Sequence, residues 1–136
     1  MNTKLRISGE PQGKGRPRVT KNGTFTPRKT TEYEQFVQLS YRQQCRGVFF
    51  GTAPLSVTIE ACFPVPKSAS RRQRDRMIAG EIKPAKKPDA DNIAKAICDA
   101  LNGFAYHDDA QIVRMTVIKR YAEAPCVNVW IYSMEE

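Results

Sequence analysis

Residues 55–65 read LSVTIEACFPV, a run in which Val57, Ile59, Ala61 and Phe63 alternate with Ser56, Thr58, Glu60 and Cys62. Period-two alternation puts every second side chain on one face, the pattern of a strand with one side in a core. The segments around it repeat differently. From Thr30 or Thr31 as N-cap, with Glu32 and Glu34 in the first turn, the spacing predicts a helix to about Arg46. Tyr33, Phe36, Val37 and Tyr41 form its apolar stripe and Gly47 ends it. On the other side, KSASRRQRDRMIAGE (67–81) opens with serine caps and stops at Gly80, which predicts a second helix. A third is predicted over 91–102, where Ile93, Ile97, Ala100 and Leu101 recur at i, i+4, i+7 and i+8 before Asn102-Gly103. A strand set among amphipathic helices calls for a sheet with helices packed on it.

The ends of the chain supply the remaining strands. KLRIS (4–8) alternates as a short strand. Five glycines and prolines then fall within 9–17, and Asn22-Gly23 reads as a turn, so this segment is a loop or irregular hairpin carrying Lys14, Arg16, Arg18 and Lys21. QIVRMTVIKRYA (111–122) and CVNVWIYS (126–133) both alternate, with Pro125 between them, which predicts an antiparallel hairpin. The resulting order, β-α-β-α-α-β-β, is an α+β fold: one domain over residues 1–136, with a small mixed sheet and helices packed on it. No apolar run approaches the ~18 residues of a membrane span, and MNTKLRISGE lacks the apolar region of a secretory signal. The four cysteines are widely spaced with no C-x-x-C pair, which argues against zinc and for buried, reduced thiols in a cytoplasmic protein.

Charge separates the chain into zones. The formal net charge is +8. Residues 1–46 hold ten basic residues against three acidic, and residues 66–88 hold eight against two. From residue 89 onward the balance reverses to four basic and eight acidic. Two basic clusters point to a polyanion, nucleic acid first.

The stretch KKPDADNIAKAICDALNG (86–103) sets Asp89 and Asp91 close together behind two lysines. Like charges that close repel unless a cation or proton lies between them. Asp91 at a helix N-terminus, with Lys95 one turn on as its ion-pair partner, is the purely structural reading. It leaves Asp89 unexplained, and also Asp108-Asp109 just past the same helix. If the chain folds back so that the two pairs meet, their oxygens suit a hard cation such as Mg²⁺ or Mn²⁺. An EF-hand loop is excluded, because Ala94 and Ala100 stand where it needs Gly and Glu. A phosphoaspartate D-x-D wants an apolar strand before it, and KPAKKP is not one. The PD…(D/E)-x-K nuclease pattern fails too, since Asp91 and Lys95 have helical spacing.

PDADNIAKAICDAL followed by HDDAQI resembles the signature of the RusA family of Holliday junction resolvases. The shared elements are D-x-D-N, a lysine one turn later, a D-A-L helix end, and D-D-x-Q leading into a strand. GKGRPR…TPRKTTEYEQF also resembles the opening of phage and prophage RusA-like sequences. The resemblance implies a homodimeric Mg²⁺-dependent endonuclease, with Mn²⁺ as a substitute ion, that cuts four-way DNA junctions by paired symmetric nicks in recombination and repair. It implies Asp89, Asp91 and Asp109 as catalytic metal ligands, Asp108 as a further candidate ligand, Lys95 as the catalytic lysine, and Asn92 and Gln111 in support. The basic residues Lys14, Arg16, Arg18, Arg28, Lys29, Arg71, Arg72, Arg74, Arg76, Lys86 and Lys87 are the expected DNA contacts. His107 is read as a bystander, because hard cations rarely recruit imidazole. The competing functions are a branched-DNA-binding protein without catalysis, and a metal-dependent hydrolase of small phosphorylated molecules.

Overall fold

The computed structural model of the protein describes residues 1–15 and 17–134, with Arg18 described by its backbone alone. Arg16 and the Arg18 side chain, both expected to contact DNA, therefore lie outside the described residues. The elements are β1 (Asn2–Ser8), β2 (Arg18–Thr20), β3 (Gly23–Phe25), α1 (Arg28–Gln44), β4 (Leu55–Pro64), α2 (Arg71–Ile78), α3 (Ala90–Leu101), β5 (Ile112–Ala122) and β6 (Cys126–Ser133). A single 3₁₀ turn, Asp109–Gln111, leads into β5. The mixed α+β architecture follows the sequence, with β2 and β3 forming the irregular hairpin around Asn22-Gly23.

The alternating strand identified in the sequence is interior to the sheet. The order is β1-β6-β4-β5, with β6 antiparallel to both β1 and β4, and β4 parallel to β5. This corrects one expectation: β5 and β6 do not pair, because β4 lies between them. Periodicity identifies strands but carries no information about partners. β4 and β5 are parallel, so their connection has to be a long crossover, and α2 and α3 supply it. Residues 123–125 then need only step past the end of β4, where Cys62 is the last residue to pair with β6.

One sheet face carries Leu5, Ile7, Val57, Ile59, Ala61, Val127, Val129 and Ile131, all essentially inaccessible. Val37 and Tyr41 of α1 and Ile93, Ile97 and Leu101 of α3 close this core. α1 and α3 start slightly earlier than the sequence suggests. α1 begins at Arg28 with Pro27 as N-cap, while the Thr30 hydroxyl accepts the Gly15 N–H at 2.9 Å instead of capping the helix. α2 is shorter than 67–81; it is capped by Ser70 and Gln73, and has no buried residue.

All four cysteines are free and buried, as the sequence suggests. Burial pushes the Cys62 and Cys98 thiols up from an ordinary 9.0 to about 12, with neighbouring Cys126 adding to the shift at Cys62 and Asp109 and Asp99 at Cys98. In the folded state both thiols hold their protons more tightly than in the unfolded chain. Their contribution to stability is complete below pH 9 and declines as pH rises from 9 through 12. Urea midpoints should therefore fall over that window, and fall less in Cys98→Ala.

Candidate active site

Helix α3 organises the site. It opens at Asp89, whose extended backbone makes it the N-cap although its side chain makes no capping hydrogen bond. Asp91 lies in the first turn, with Lys95 and Cys98 following on the same face at i+4 and i+7. The chain then reverses at Gly103, whose φ of +79° is costly for any residue with a β-carbon. Tyr106 is buried and donates its hydroxyl to the Cys98 carbonyl at 2.7 Å, holding the return loop against the helix.

Two polar residues fix the segment between Tyr106 and β5. The Asn102 side-chain oxygen accepts the Asp109 N–H at 2.8 Å. The Gln111 amide donates to the carbonyls of Gly51 and Ala53 at 3.0 and 2.7 Å, and its oxygen accepts the Asp108 N–H at 2.9 Å. Asp108 in turn accepts the Ala110 N–H at 3.2 Å. The two neighbouring aspartates thus divide: Asp108 caps the turn, and Asp109 faces the helix.

The result is a cavity of about 260 Å³ lined by Asp91, Ala94, Lys95, Cys98, Asp109, Ile112 and Met115. Residues from the first expected acid pair and from the second share one wall, as a folded-back chain requires. Asp89 lines a different, adjacent cavity with Lys87, Pro88 and Asn92. Positions i and i+2 at a helix start do not face each other, which separates Asp89 from Asp91. Among the described residues no three His, Cys, Asp or Glu side chains are grouped closely enough to hold an ion. His107 donates its backbone N–H to the Gly51 carbonyl at 2.9 Å. Cys98 packs at the cavity wall, and its burial-raised pKa leaves it protonated at neutral pH, so it is no nucleophile.

Lys95 pairs with a different acid from the one its spacing suggests. Its ammonium meets Asp99 at 3.1 Å, not Asp91. Asp99 also holds Lys14 at 3.3 Å, and Lys14 in turn pairs with Glu34 of α1. An acid C-terminal to its lysine is the weaker i,i+4 orientation. Lys14 is a second cation on Asp99, brought from a distant segment. Burial alone lowers the Lys14 pKa, but hydrogen bonds and attraction from Glu34 and Asp99 outweigh it and raise the pKa above the ordinary lysine value. Lys14, expected on the DNA-facing loop, has an internal role here. The Lys95–Asp99 spacing is visible in the sequence, whereas Lys14 and Glu34 are distant in the chain and give no local signal.

The other expected DNA contacts among the described residues are exposed. Arg71, Arg72, Arg74 and Arg76 are exposed along α2, with Arg76 paired to Glu81 at 3.1 Å. Arg28 forms an open ion pair with Glu32, Lys86 lies over the rings of Phe63 and Tyr121, and Lys29 and Lys87 line the cavity at Asp89.

An uncharacterized protein of Bacillus subtilis (strain 168), YqaN, is 37% identical over 134 residues, covering 94% of each chain. The family described as Endodeoxyribonuclease RusA matches residues 8–132, nearly the whole fold and all of the acidic loop–helix–loop. The chain belongs to the RusA endodeoxyribonuclease family.

Proposed function

We propose that this protein is a Mg²⁺-dependent, structure-selective endonuclease that resolves four-way DNA junctions by paired symmetric nicks, acting as a homodimer in recombination and repair. The observation that carries the reading is the cavity shared by Asp91, Lys95 and Asp109. Its donors suit the ion: Mg²⁺ keeps several waters and is commonly held by one or two carboxylates together with substrate phosphate. Asp91 and Asp109 would hold it, with Asp89 at the adjoining cavity reaching the same region through water. A bound Mg²⁺ lowers the pKa of water and takes up charge on the phosphate.

The protein's own groups do the rest. Asp91 and Asp109 present acceptors on two separate elements, which orient the attacking water toward the phosphorus. Lys95 supplies a cation to the charge that gathers on the phosphate in the transition state. Asp99 fixes the direction of that ammonium. The exposed α2 arginines neutralise phosphates along the junction arms, a contact that positions the DNA without reading its sequence. A two-fold dimer would place one such site on each of two symmetric strands.

Replacing Arg71, Arg72, Arg74 and Arg76 with Ala should flatten the salt dependence of junction affinity, by about 0.9 in log–log slope for each phosphate that the arginines neutralise in wild type. Fluorescence anisotropy across a salt series measures it, and an unchanged slope would remove α2 from the DNA interface. The function itself is tested by incubating wild-type protein with a four-way junction and Mg²⁺. Nicks at symmetric positions support the proposal, while binding without cleavage in Mg²⁺ or Mn²⁺ contradicts it.

A further inference from the structure

We infer that the cavity between the glycine-rich N-terminal loop and the start of α3 is a second phosphate subsite, for a DNA backbone phosphate one or two nucleotides from the one that is cut. At about 530 Å³ it is about twice the size of the cavity at Asp91, and Gly13, Gly15, Lys29, Lys87, Asp89 and Asn92 line it. This rests on the nuclease reading only for the identity of the neighbouring phosphate.

The walls are made by close fit. A β-carbon on Gly13 would come within 2.3 Å of the Asn92 side-chain nitrogen, and one on Gly15 within 2.2 Å of the Thr30 hydroxyl. Only glycine at both positions lets the loop seat against α1 and α3 together, where the Lys14 N–H donates to the Asn92 carbonyl at 3.2 Å. The loop therefore joins two helix starts into one concave surface.

The charges lining that surface fit an anion. Lys29 and Lys87 come from separate segments, and among the described residues neither forms an ion pair. α1 begins with Arg28 and Lys29, has no acid in its first turn and has Pro27 as a cap without a side-chain acceptor. Cations at a helix N-terminus oppose its dipole, and such local conflict is expected where a ligand resolves it. Asp89 is the one acid on the wall. It precedes Asp91 by two residues, at most about 7 Å of chain. Stacked nucleotides advance about 3.4 Å per step, so a strand covers that length in about two steps.

The test uses the full-length protein and four-way junctions each carrying one methylphosphonate, which removes the charge of a single phosphate, scanned across the branch point. Binding is measured in Ca²⁺, and the cut position is mapped separately in Mg²⁺. Wild type should lose about 10-fold in affinity for one modified junction, the worth of a charged hydrogen bond. The Lys29→Ala/Lys87→Ala variant should bind that junction and the unmodified one equally. A Lys67→Ala/Lys83→Ala variant has the same loss of charge and should keep the 10-fold discrimination. Additive effects at every phosphate, or a coupled phosphate more than two steps from the cut, would overturn the inference. If wild type shows the coupling but never cuts, the subsite stands and the nuclease reading falls.

Discussion

Asp109→Asn should abolish junction cleavage, lowering the single-turnover rate at least about 10³-fold, while junction affinity changes little. A rate loss of that size corresponds to about 4 kcal/mol of transition-state stabilisation, within what one metal-holding carboxylate supplies. The neighbouring Asp108→Asn should behave differently. Asp108 accepts the Ala110 N–H and closes a capping box with Gln111, a role an Asn side-chain oxygen also fills, so stability should change little. Cleavage by Asp108→Asn should stay within a few-fold of wild type. The contrast between adjacent, chemically identical residues isolates position from charge. Equal rate losses in both variants would show that the negative charge of the loop, not the position of the Asp109 carboxylate, is what the reaction needs.

The second large effect concerns the ion pairs behind Lys95. Asp99→Ala removes the group that holds Lys95 and leaves Lys14 with Glu34 alone. Misplacing a charged group by an ångström costs about 10- to 100-fold in rate, so cleavage should fall by that factor with affinity preserved. Lys14→Ala leaves the Lys95–Asp99 pair intact but strands the Glu34 carboxylate, whose side chain is only 20% exposed. It should cost about 1–3 kcal/mol of stability, between the values for open and buried pairs. Its cleavage rate should fall much less than that of Asp99→Ala. The stabilising effect of the raised Lys14 pKa is complete at neutral pH and fades only as pH climbs past the ordinary lysine value of 10.5. The Lys14→Ala stability deficit should thus be constant from pH 6 to 9 and shrink above 10.5. Chemical denaturation at several pH values, run beside single-turnover cleavage, separates the two roles.

Particular residues explain how far the sequence could be read. Val57, Ile59, Ala61 and Phe63 announced β4 because one-sided burial imposes period two on the side chains themselves. Ile93, Ile97 and Leu101 announced α3 for the same reason at helical period. The pairing of β5 with β4 left no trace in local pattern, since a strand alternates whichever neighbour it has. The acid pairs on either side of α3 were visible as composition. That Asp91 and Asp109 meet while Asp89 turns to another cavity depends on the helix start and on the Asn102 and Gln111 anchors. Lys14 read as one of many exposed cations because its partners, Glu34 and Asp99, are 20 and 85 residues away.

The most direct measurement is cleavage of a four-way junction, with a linear duplex of the same sequence as control, by metal-stripped wild-type protein titrated with Mg²⁺. The proposed site predicts no product before Mg²⁺ is added, then nicks at symmetric positions on two opposed strands of the junction and none on the duplex. Tight junction binding with no cleavage at any Mg²⁺ or Mn²⁺ concentration would contradict it.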